Sequence, residues 1–354
     1  MNLSFYSNKT VLVTGHTGFK GTWLCKILIN AGARVIGYSL EAPTNPNLFS
    51  LAKIENDMVS IIGDIRDYKH LKHVFDKYQP ELVFHLAAQP IVRDSYREPK
   101  YTYETNVIGT VNVLECVRLT QSVKSFLNVT TDKVYLNDDE PDHLFKEDEP
   151  LDGYDPYSNS KSCSELVTHS YKKSFFQDGG CAISTARAGN VIGGGDFAND
   201  RIIPDCIRAI EKGEDVIVRN PFSTRPYQHV LEPLFIYLTI VEAQYNNLNK
   251  QGYYNVGPDD CDCVDTGDLV TKFCKSWGCG LKWVNKHDGG PHEAAFLKLD
   301  NSKIKEVFGW KPRWHIDECI WKTVEWTKVY YNNQECIPEE MNREINCFFD
   351  EARK

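Results

Sequence analysis

The chain has 354 residues, 42% of them hydrophobic and 25% charged, with a formal net charge of −9. Those proportions argue against a disordered chain and leave room for two core-bearing units. The acidic excess argues against a general nucleic-acid or membrane-surface binder, so an anionic ligand has to be small and held by a few arginines or backbone amides.

From Thr10 to Arg187, apolar β-branched runs alternate with amphipathic stretches. TVLVT, ARVIGY, MVSIIG, ELVFHLA, KSFLNV and CAISTAR have the character of strands. Between them WLCKILINA, YKHLKHVFDKY, NVIGTVNVLECVRLT and SKSCSELVTHSYKKSFF place apolar residues at helical spacing. The alternation predicts an α/β domain over 1–189, a doubly wound parallel sheet of Rossmann type with helices on both faces. After Asn190 the pattern breaks into VIGGGD, RNPFSTRPYQHVLEPL and YYNVGPDD, which predicts a smaller mixed α/β lobe over 190–354, with room for the chain to cross back. NDDEPDHLFKEDEP, from Asn137 to Pro150, is expected to be an acidic surface loop beside the site.

The first strand runs into TGHTGFKGTWL, which spaces Gly15, Gly18 and Gly21 ahead of a helix. Glycines there tighten the turn and let the backbone approach a pyrophosphate at the helix N-terminus. The order of strand, glycines and helix predicts dinucleotide binding. Asp64, after the third strand, can accept from an adenine amine, and the small alanines of HLAAQP after the fourth let a cofactor pass. Ser39 ends the second strand where an acid would hold the adenosine ribose, so this rule does not separate NAD from NADP.

Tyr157 and Lys161 in YSNSK are four residues apart and share one helix face. A nearby ammonium lowers a phenol's pKa and can hold a ribose hydroxyl, which makes the tyrosine a competent base for a sugar alcohol. Two other pairs with this spacing, Tyr68 with Lys72 and Tyr96 with Lys100, read as surface pairs. Only the Tyr157 pair follows a helix-starting Asp155-Pro156 and a strand that ends in Thr-Thr.

No early stretch has the make-up of a signal peptide, and no apolar run approaches the roughly 18 residues of a membrane span, so a cytoplasmic protein is expected. Twelve scattered cysteines suggest buried thiols in a reducing compartment rather than a disulfide framework. Cys261 with Cys263, and Cys274 with Cys279, lack the spacing and histidines of a zinc site, so no metal is expected.

With the glycine loop, HLAAQ, TNVIGT, TTDK and YSNSK in this order, the sequence resembles an extended short-chain dehydrogenase/reductase, and within that superfamily the nucleotide-sugar 4,6-dehydratases. VTGHTGFKG, HLAAQPIVRDSY, TTDKVY, NVIGGGDFANDRIIPD, RPYQHVLEPL and HEAAFLKLD carry the resemblance from Val13 to Asp300, and FGWKPRW extends it to Trp314. It implies a tightly held NAD, regenerated at each turnover. Its contacts are expected from Gly15, His16, Thr17, Gly18, Phe19, Lys20 and Gly21, from Ser39, Asp64 and Ile65, from Leu86, Ala87, Ala88 and Gln89, and from Asn106, Tyr157 and Lys161.

By the same resemblance Thr131 takes the place of the active-site Ser/Thr beside Tyr157 and Lys161. Asp132 matches the acid, and Lys133 stands where other branches carry glutamate, which points to the CDP-glucose branch. Tyr227 and Ser162 depart from that branch's more frequent tryptophan and glycine. Gln89, Asn190, Arg201, Arg219, Arg225, Tyr227, His292 and Glu293 are the implied substrate contacts, with Arg225 foremost for a diphosphate because its planar fork matches phosphate oxygens. The implied reaction oxidises the sugar at C4, eliminates water across C5 and C6, and returns hydride to C6, in deoxysugar and surface-polysaccharide synthesis. The alternatives are a dehydratase of another nucleotide sugar, a 4-epimerase or simple 4-dehydrogenase that does without Asp132 and Lys133, and a non-catalytic NAD sensor. A homodimer or homotetramer is expected, paired through the helices at NVIGTVNVLECVRL and SKSCSELVTHSYKKSFF.

Overall fold

The computed structural model describes residues 3–177, 179–287, 289–290 and 294–351. Its centre is a seven-stranded sheet, parallel throughout. The six strands expected from the alternation form β1 (Thr10–Thr14), β2 (Arg34–Ser39), β3 (Val59–Ile62), β4 (Leu82–His85), β5 (Ser125–Thr131) and β6 (Ala182–Ala188). A seventh, β7 (Tyr253–Val256), comes from the YYNVGPDD stretch and pairs with β6. The order across the sheet is β3-β2-β1-β4-β5-β6-β7.

Successive side chains of a strand point to opposite faces, and both faces are covered. Val11 and Val13 join a core with Trp23, Leu24, Ile27 and Leu28 of helix Phe19–Asn30. Leu12 between them joins Leu71, Val74 and Phe75 of helix Tyr68–Tyr78 and Val113, Leu114 and Val117 of helix Gly109–Arg118. All seven residues of β5 are buried, so its continuous apolar character reflects cover on both sides.

The chain crosses back after residue 190. Helix Leu231–Asn246 packs on β5 and β6, and β7 then completes the sheet, so the dinucleotide-type domain is built from two separate stretches of chain. The smaller lobe contains helices Ile202–Lys212 and Thr266–Trp277. It also contains the parallel pair Val216–Val218 with Trp283–Asn285 and the antiparallel pair Thr224–Pro226 with Cys263–Asp265. Helix Ile337–Glu351 returns to pack on Phe19–Asn30 and Leu48–Ala52.

The acidic 137–150 segment is anchored at its middle. Leu144–Phe145 pairs with Lys298–Leu299, and Asn255 Nδ2 donates to the Phe145 carbonyl at 2.7 Å. All twelve cysteines are free thiols. Cys261, Asp262 and His315 bring their ligand-type atoms within 4.8 Å of one another; Asp262 there accepts from Ile316 N at 3.0 Å, at the start of helix Ile316–Asn332. Among the described residues no helix is long and apolar enough to cross a membrane.

Candidate active site

The strand order reverses between β1 and β4, which opens a crevice at their C-terminal ends. Thr14 Oγ1 ties those ends together, accepting from Leu86 N and Ala87 N, each at 3.2 Å, and pairing with His85 Nδ1 at 2.8 Å. Gly15 follows with φ +78°, and a Cβ on it would stand 2.8 Å from Ala87 N. A Cβ on Gly21 would stand 2.0 Å from the Gly15 carbonyl oxygen. The loop therefore closes only with glycine at both places. Helix Phe19–Asn30 begins behind Gly18 without a side-chain cap, so its first N–H groups are left for an anion.

Around this loop Thr17 Oγ1 donates to the Leu40 carbonyl at 2.9 Å and meets Ser39 Oγ at 2.9 Å. His16 is fully buried with Nε2 2.7 Å from Ser60 Oγ, and burial lowers its pKa to about 4 against a hydrogen bond with the Tyr38 backbone. Asp64 lies two residues beyond β3 in an ion pair with Arg66, Oδ2 to Nη2 at 2.6 Å, and Ile65 is buried in the core beneath helix Gly109–Arg118. Ala88 is half-buried beside Gln89.

Gln89 and Asn106 hold each other. Asn106 Oδ1 accepts from Gln89 N at 2.8 Å, while its Nδ2 donates to the Gln89 carbonyl at 3.0 Å and to Ser160 Oγ at 2.9 Å. The Gln89 side chain accepts from Ile91 N at 2.6 Å and donates to Thr102 Oγ1 at 2.9 Å. These two expected contact residues thus spend their polar atoms on the protein, fixing the loop that brings Pro90 to Arg93 to the cavity.

β5 ends at Thr131, and the chain turns at once through a single 3-10 turn, Asp132–Val134. Thr131 Oγ1 donates to Asp132 Oδ1 at 2.9 Å. Asp132 is 1% exposed, and its Oδ2 has no partner among the described residues. Burial raises its pKa, against the pull of Lys133, Thr131, Arg225 and Lys20. Lys133 is half-buried at the next position.

Tyr157 and Lys161 come from helix Pro156–Phe175. Asp155 caps it, accepting from Ser158 N at 3.0 Å and Ser158 Oγ at 2.6 Å, and Pro156 occupies the first turn. Ser162 fastens the helix to the turn, donating to the Val134 carbonyl at 2.7 Å and accepting from Gly153 N at 3.1 Å. Burial pushes the Tyr157 phenol up to about 12, while a hydrogen bond with Thr131 and the charge of Arg201 pull it down. Lys161 is turned inward, donating to the Val129 carbonyl at 2.8 Å, and burial lowers it to about 8.

One cavity of about 490 Å³ gathers Thr131, Asp132, Lys133 and Tyr157. The smaller lobe lines its far side with Asn190, Arg201, Arg219, Arg225 and Tyr227. Arg201 pairs with Asp196 at 3.1 Å and Arg219 with Asp200 at 2.7 Å. Arg225 donates to the Thr224 carbonyl at 2.8 Å, and the Tyr227 hydroxyl meets Thr266 Oγ1 at 3.1 Å. His292 and Glu293 lie outside the described residues. The acidic loop does not border the cavity: none of its residues is among the described ones that line it.

The same cavity takes in groups that sequence patterning did not single out or placed elsewhere. Lys20, expected in the cofactor loop, lines it with Asp132; desolvation and repulsion from Arg201 lower its pKa to about 7, while Asp132 pulls it back. Arg93 and Asp200, 3.8 Å apart, and Asp196 also line it. Their arrangement depends on ion pairs between distant loops, which no local motif encodes. Arg93 does lie within the HLAAQPIVRDSY stretch, and Asp196 and Asp200 within NVIGGGDFANDRIIPD.

A family model described as GDP-mannose 4,6 dehydratase matches residues 12–323. Among curated proteins, CDP-glucose 4,6-dehydratase of Salmonella typhimurium is 46% identical over 341 residues, covering 94% of each chain. dTDP-glucose 4,6-dehydratase of Haemophilus influenzae is 26% identical over 343 residues, covering 89% of this chain and 97% of the relative. Among solved structures, dTDP-glucose 4,6-dehydratase of Bacillus anthracis in complex with NAD aligns with a TM-score of 0.75 at 22% identity, covering 92% of this chain and 98% of the other. UDP-glucose 4-epimerase of Thermotoga maritima with UDP-glucose aligns at 0.78 and 24% identity, covering 91% and 99%. At these identities the structural matches speak to the fold.

Proposed function

Because the chain belongs to the GDP-mannose 4,6 dehydratase family, we propose that it dehydrates a nucleotide hexose without net redox change, converting CDP-D-glucose to CDP-4-keto-6-deoxy-D-glucose and water. The observation that carries the reading is the meeting of Thr131, Asp132, Lys133 and Tyr157 in one cavity. A 4-epimerase or 4-dehydrogenase needs the tyrosine but has no use for an acid and an amine beside it. The 46% identity to the Salmonella CDP-glucose enzyme supports CDP-glucose as the substrate.

NAD fits the crevice between β1 and β4, where two glycines leave no room for a β-carbon and the uncapped helix start suits a pyrophosphate. The glycine loop, Ser39, Ala87 and Ala88 would hold it. When bound, NAD supplies a reversible hydride store that takes the hydrogen from C4 and gives it back at C6.

The chain's own residues handle the protons. Tyr157 accepts the proton of the 4-hydroxyl, its phenol eased down by Thr131 and Arg201. The ketone formed at C4 acidifies the hydrogen on C5. Lys133 removes that proton, and Asp132 gives one to the 6-hydroxyl. The C5–H and C6–O bonds break, the C5–C6 double bond forms, and the oxygen leaves as water; Lys133 then returns a proton to C5 as the double bond closes with hydrogen regained at C6. To Arg201, Arg219 and Arg225, the arginines of the smaller lobe that line the cavity, we assign the diphosphate.

The helices at 104–118 and 156–175 leave Ile108 and Leu166 exposed by 51% and 54%, which supports pairing of two chains through this face. We place the enzyme in the cytoplasm, in deoxysugar synthesis for surface polysaccharide. Incubation with CDP-glucose, dTDP-glucose and GDP-mannose in parallel, followed by mass spectrometry, tests the assignment. Loss of water from CDP-glucose is expected. Unchanged mass with all three overturns the dehydratase reading, and dehydration of a different sugar alone reassigns the nucleotide.

A further inference from the structure

The proposed dehydration moves two protons whose accounts match. Tyr157 gains one when the 4-hydroxyl becomes a ketone, and Asp132 gives one up when the 6-hydroxyl leaves as water. Thr131 stands between the two groups. Its hydroxyl interacts with the Tyr157 phenol and donates to Asp132 Oδ1 at 2.9 Å. Thr131 is 6% exposed and Asp132 1%, so bulk water has little access to this connection. The direction is set as well: a hydroxyl that donates to the carboxylate keeps two lone pairs, and with one accepting from Lys133 N at 3.4 Å the other is left for the phenol.

We infer that Thr131 is a proton relay, which carries the proton taken from the 4-hydroxyl by Tyr157 on to Asp132, so that it departs in the water formed from O6. The inference rests on the dehydration reading. In the relay step the Tyr157 O–H bond breaks and an O–H bond forms on Thr131, while the proton Thr131 already held passes to Asp132 Oδ1. The phenol becomes phenolate, the carboxylate becomes a carboxylic acid, and Thr131 is unchanged. Asp132 then protonates O6 as the C6–O bond breaks. The enzyme ends the cycle as it began, and Asp132 need not hold a proton at rest. Burial of Asp132 supports the transfer, because it raises the carboxyl's affinity for the proton.

A threonine that only orients Tyr157 is the competing role, and a substrate with a different leaving group separates the two. CDP-6-deoxy-6-fluoroglucose loses fluoride, which departs without a proton from Asp132. Wild type, Thr131→Val and Thr131→Ser are compared on CDP-glucose and on this analogue, reading reduced cofactor by its near-ultraviolet absorbance, the dehydrated product by mass and fluoride by electrode. With CDP-glucose, Thr131→Val is expected to accumulate reduced cofactor while product formation falls by about 100-fold or more, the scale of a lost general acid. Fluoride release should fall far less, by no more than the effect on Tyr157 that the two substrates share, and Thr131→Ser should restore both. Equal slowing of the two substrates, no accumulation of reduced cofactor, or unaltered turnover of CDP-glucose each overturns the relay. If Thr131→Val does not fold by circular dichroism, Thr131→Ala is read in its place. A wild type that leaves CDP-glucose intact overturns the dehydratase reading itself, and that outcome is seen before any variant is compared.

Discussion

Arg187 of β6 and Glu165 of the Tyr157 helix form an ion pair at 3.0 Å, with 3% and 1% of their side chains exposed. Glu165 also accepts from Thr130 and from Thr185, so it fastens the helix to β5 and β6 immediately behind the active-site turn. Removing one partner leaves a buried charge without compensation, at a cost of about 3–5 kcal/mol. Glu165→Ala should therefore lower the urea midpoint sharply. The double variant Glu165→Leu with Arg187→Met should recover much of the loss, because neither charge is then stranded. If denaturation finds the double variant no more stable than Glu165→Ala, the penalty comes from lost packing and not from charge.

The glycine loop makes a sharper distinction. A Cβ at position 21 meets the Gly15 carbonyl oxygen at 2.0 Å, whereas one at position 18 meets the same oxygen at 3.4 Å, an ordinary contact. Gly21→Ala should force the loop away from the crevice and weaken NAD binding by about tenfold or more, which is 1.4 kcal/mol or above. Gly18→Ala should bind within a smaller factor. Calorimetric titration with NAD checks both, with circular dichroism to establish that each remains folded. Equal affinities would mean that position 21 does not shape the pyrophosphate seat.

A third expectation concerns pH. Glu344 in the C-terminal helix is buried beside His229, Nε2 to Oε2 at 3.8 Å. Burial and the neighbouring Glu340 raise its pKa to about 8, opposed by Lys322 and Arg343. The folded protein thus holds a proton that the unfolded chain releases near pH 4.5. Between pH 4.5 and 8 the native state binds more protons, so this group's contribution to stability falls as pH rises through that window. Glu344→Gln removes the ionisation. Its melting temperature relative to wild type should be higher at pH 8 than at pH 5, and a difference independent of pH would remove Glu344 as the titrating group.

The parts of this molecule legible in sequence are those encoded by contiguous residues. Strand β1, the glycine turn, the Asp155-Pro156 helix start and the i, i+4 relation of Tyr157 and Lys161 each lie within a few residues, and short-range sterics and hydrogen bonds fix them. β7 was hidden because its partner, β6, lies about seventy residues earlier, and only the crossing helix Leu231–Asn246 brings it back. The mutual hydrogen bonds of Gln89 and Asn106 depend on a separation that spacing rules do not read. Lys20 shows the same limit: it stands in the glycine motif by sequence, and its place beside Asp132 in the cavity comes from the fold.

Lys133 carries the last prediction. If its amine removes the C5 proton, Lys133→Met should lower kcat by about 10²–10⁴, the range of a lost general base, with little change in KM. Methionine keeps much of the side chain's length and apolar stem, so the half-buried position should tolerate it. Removal of the C5 hydrogen is common to CDP-glucose and its 6-fluoro analogue, so Lys133→Met should slow both alike, where loss of the Thr131 hydroxyl should slow CDP-glucose, which needs a proton at O6, far more than the analogue. Parallel stopped-flow and fluoride measurements on the two variants give a two-by-two comparison. In D₂O the wild-type product should carry solvent deuterium at C5, because the amine exchanges its protons with water before one is returned. Wild-type turnover by Lys133→Met would move the base elsewhere, and the remaining amine beside Asp132 is Lys20, whose pKa of about 7 leaves a large neutral fraction at physiological pH.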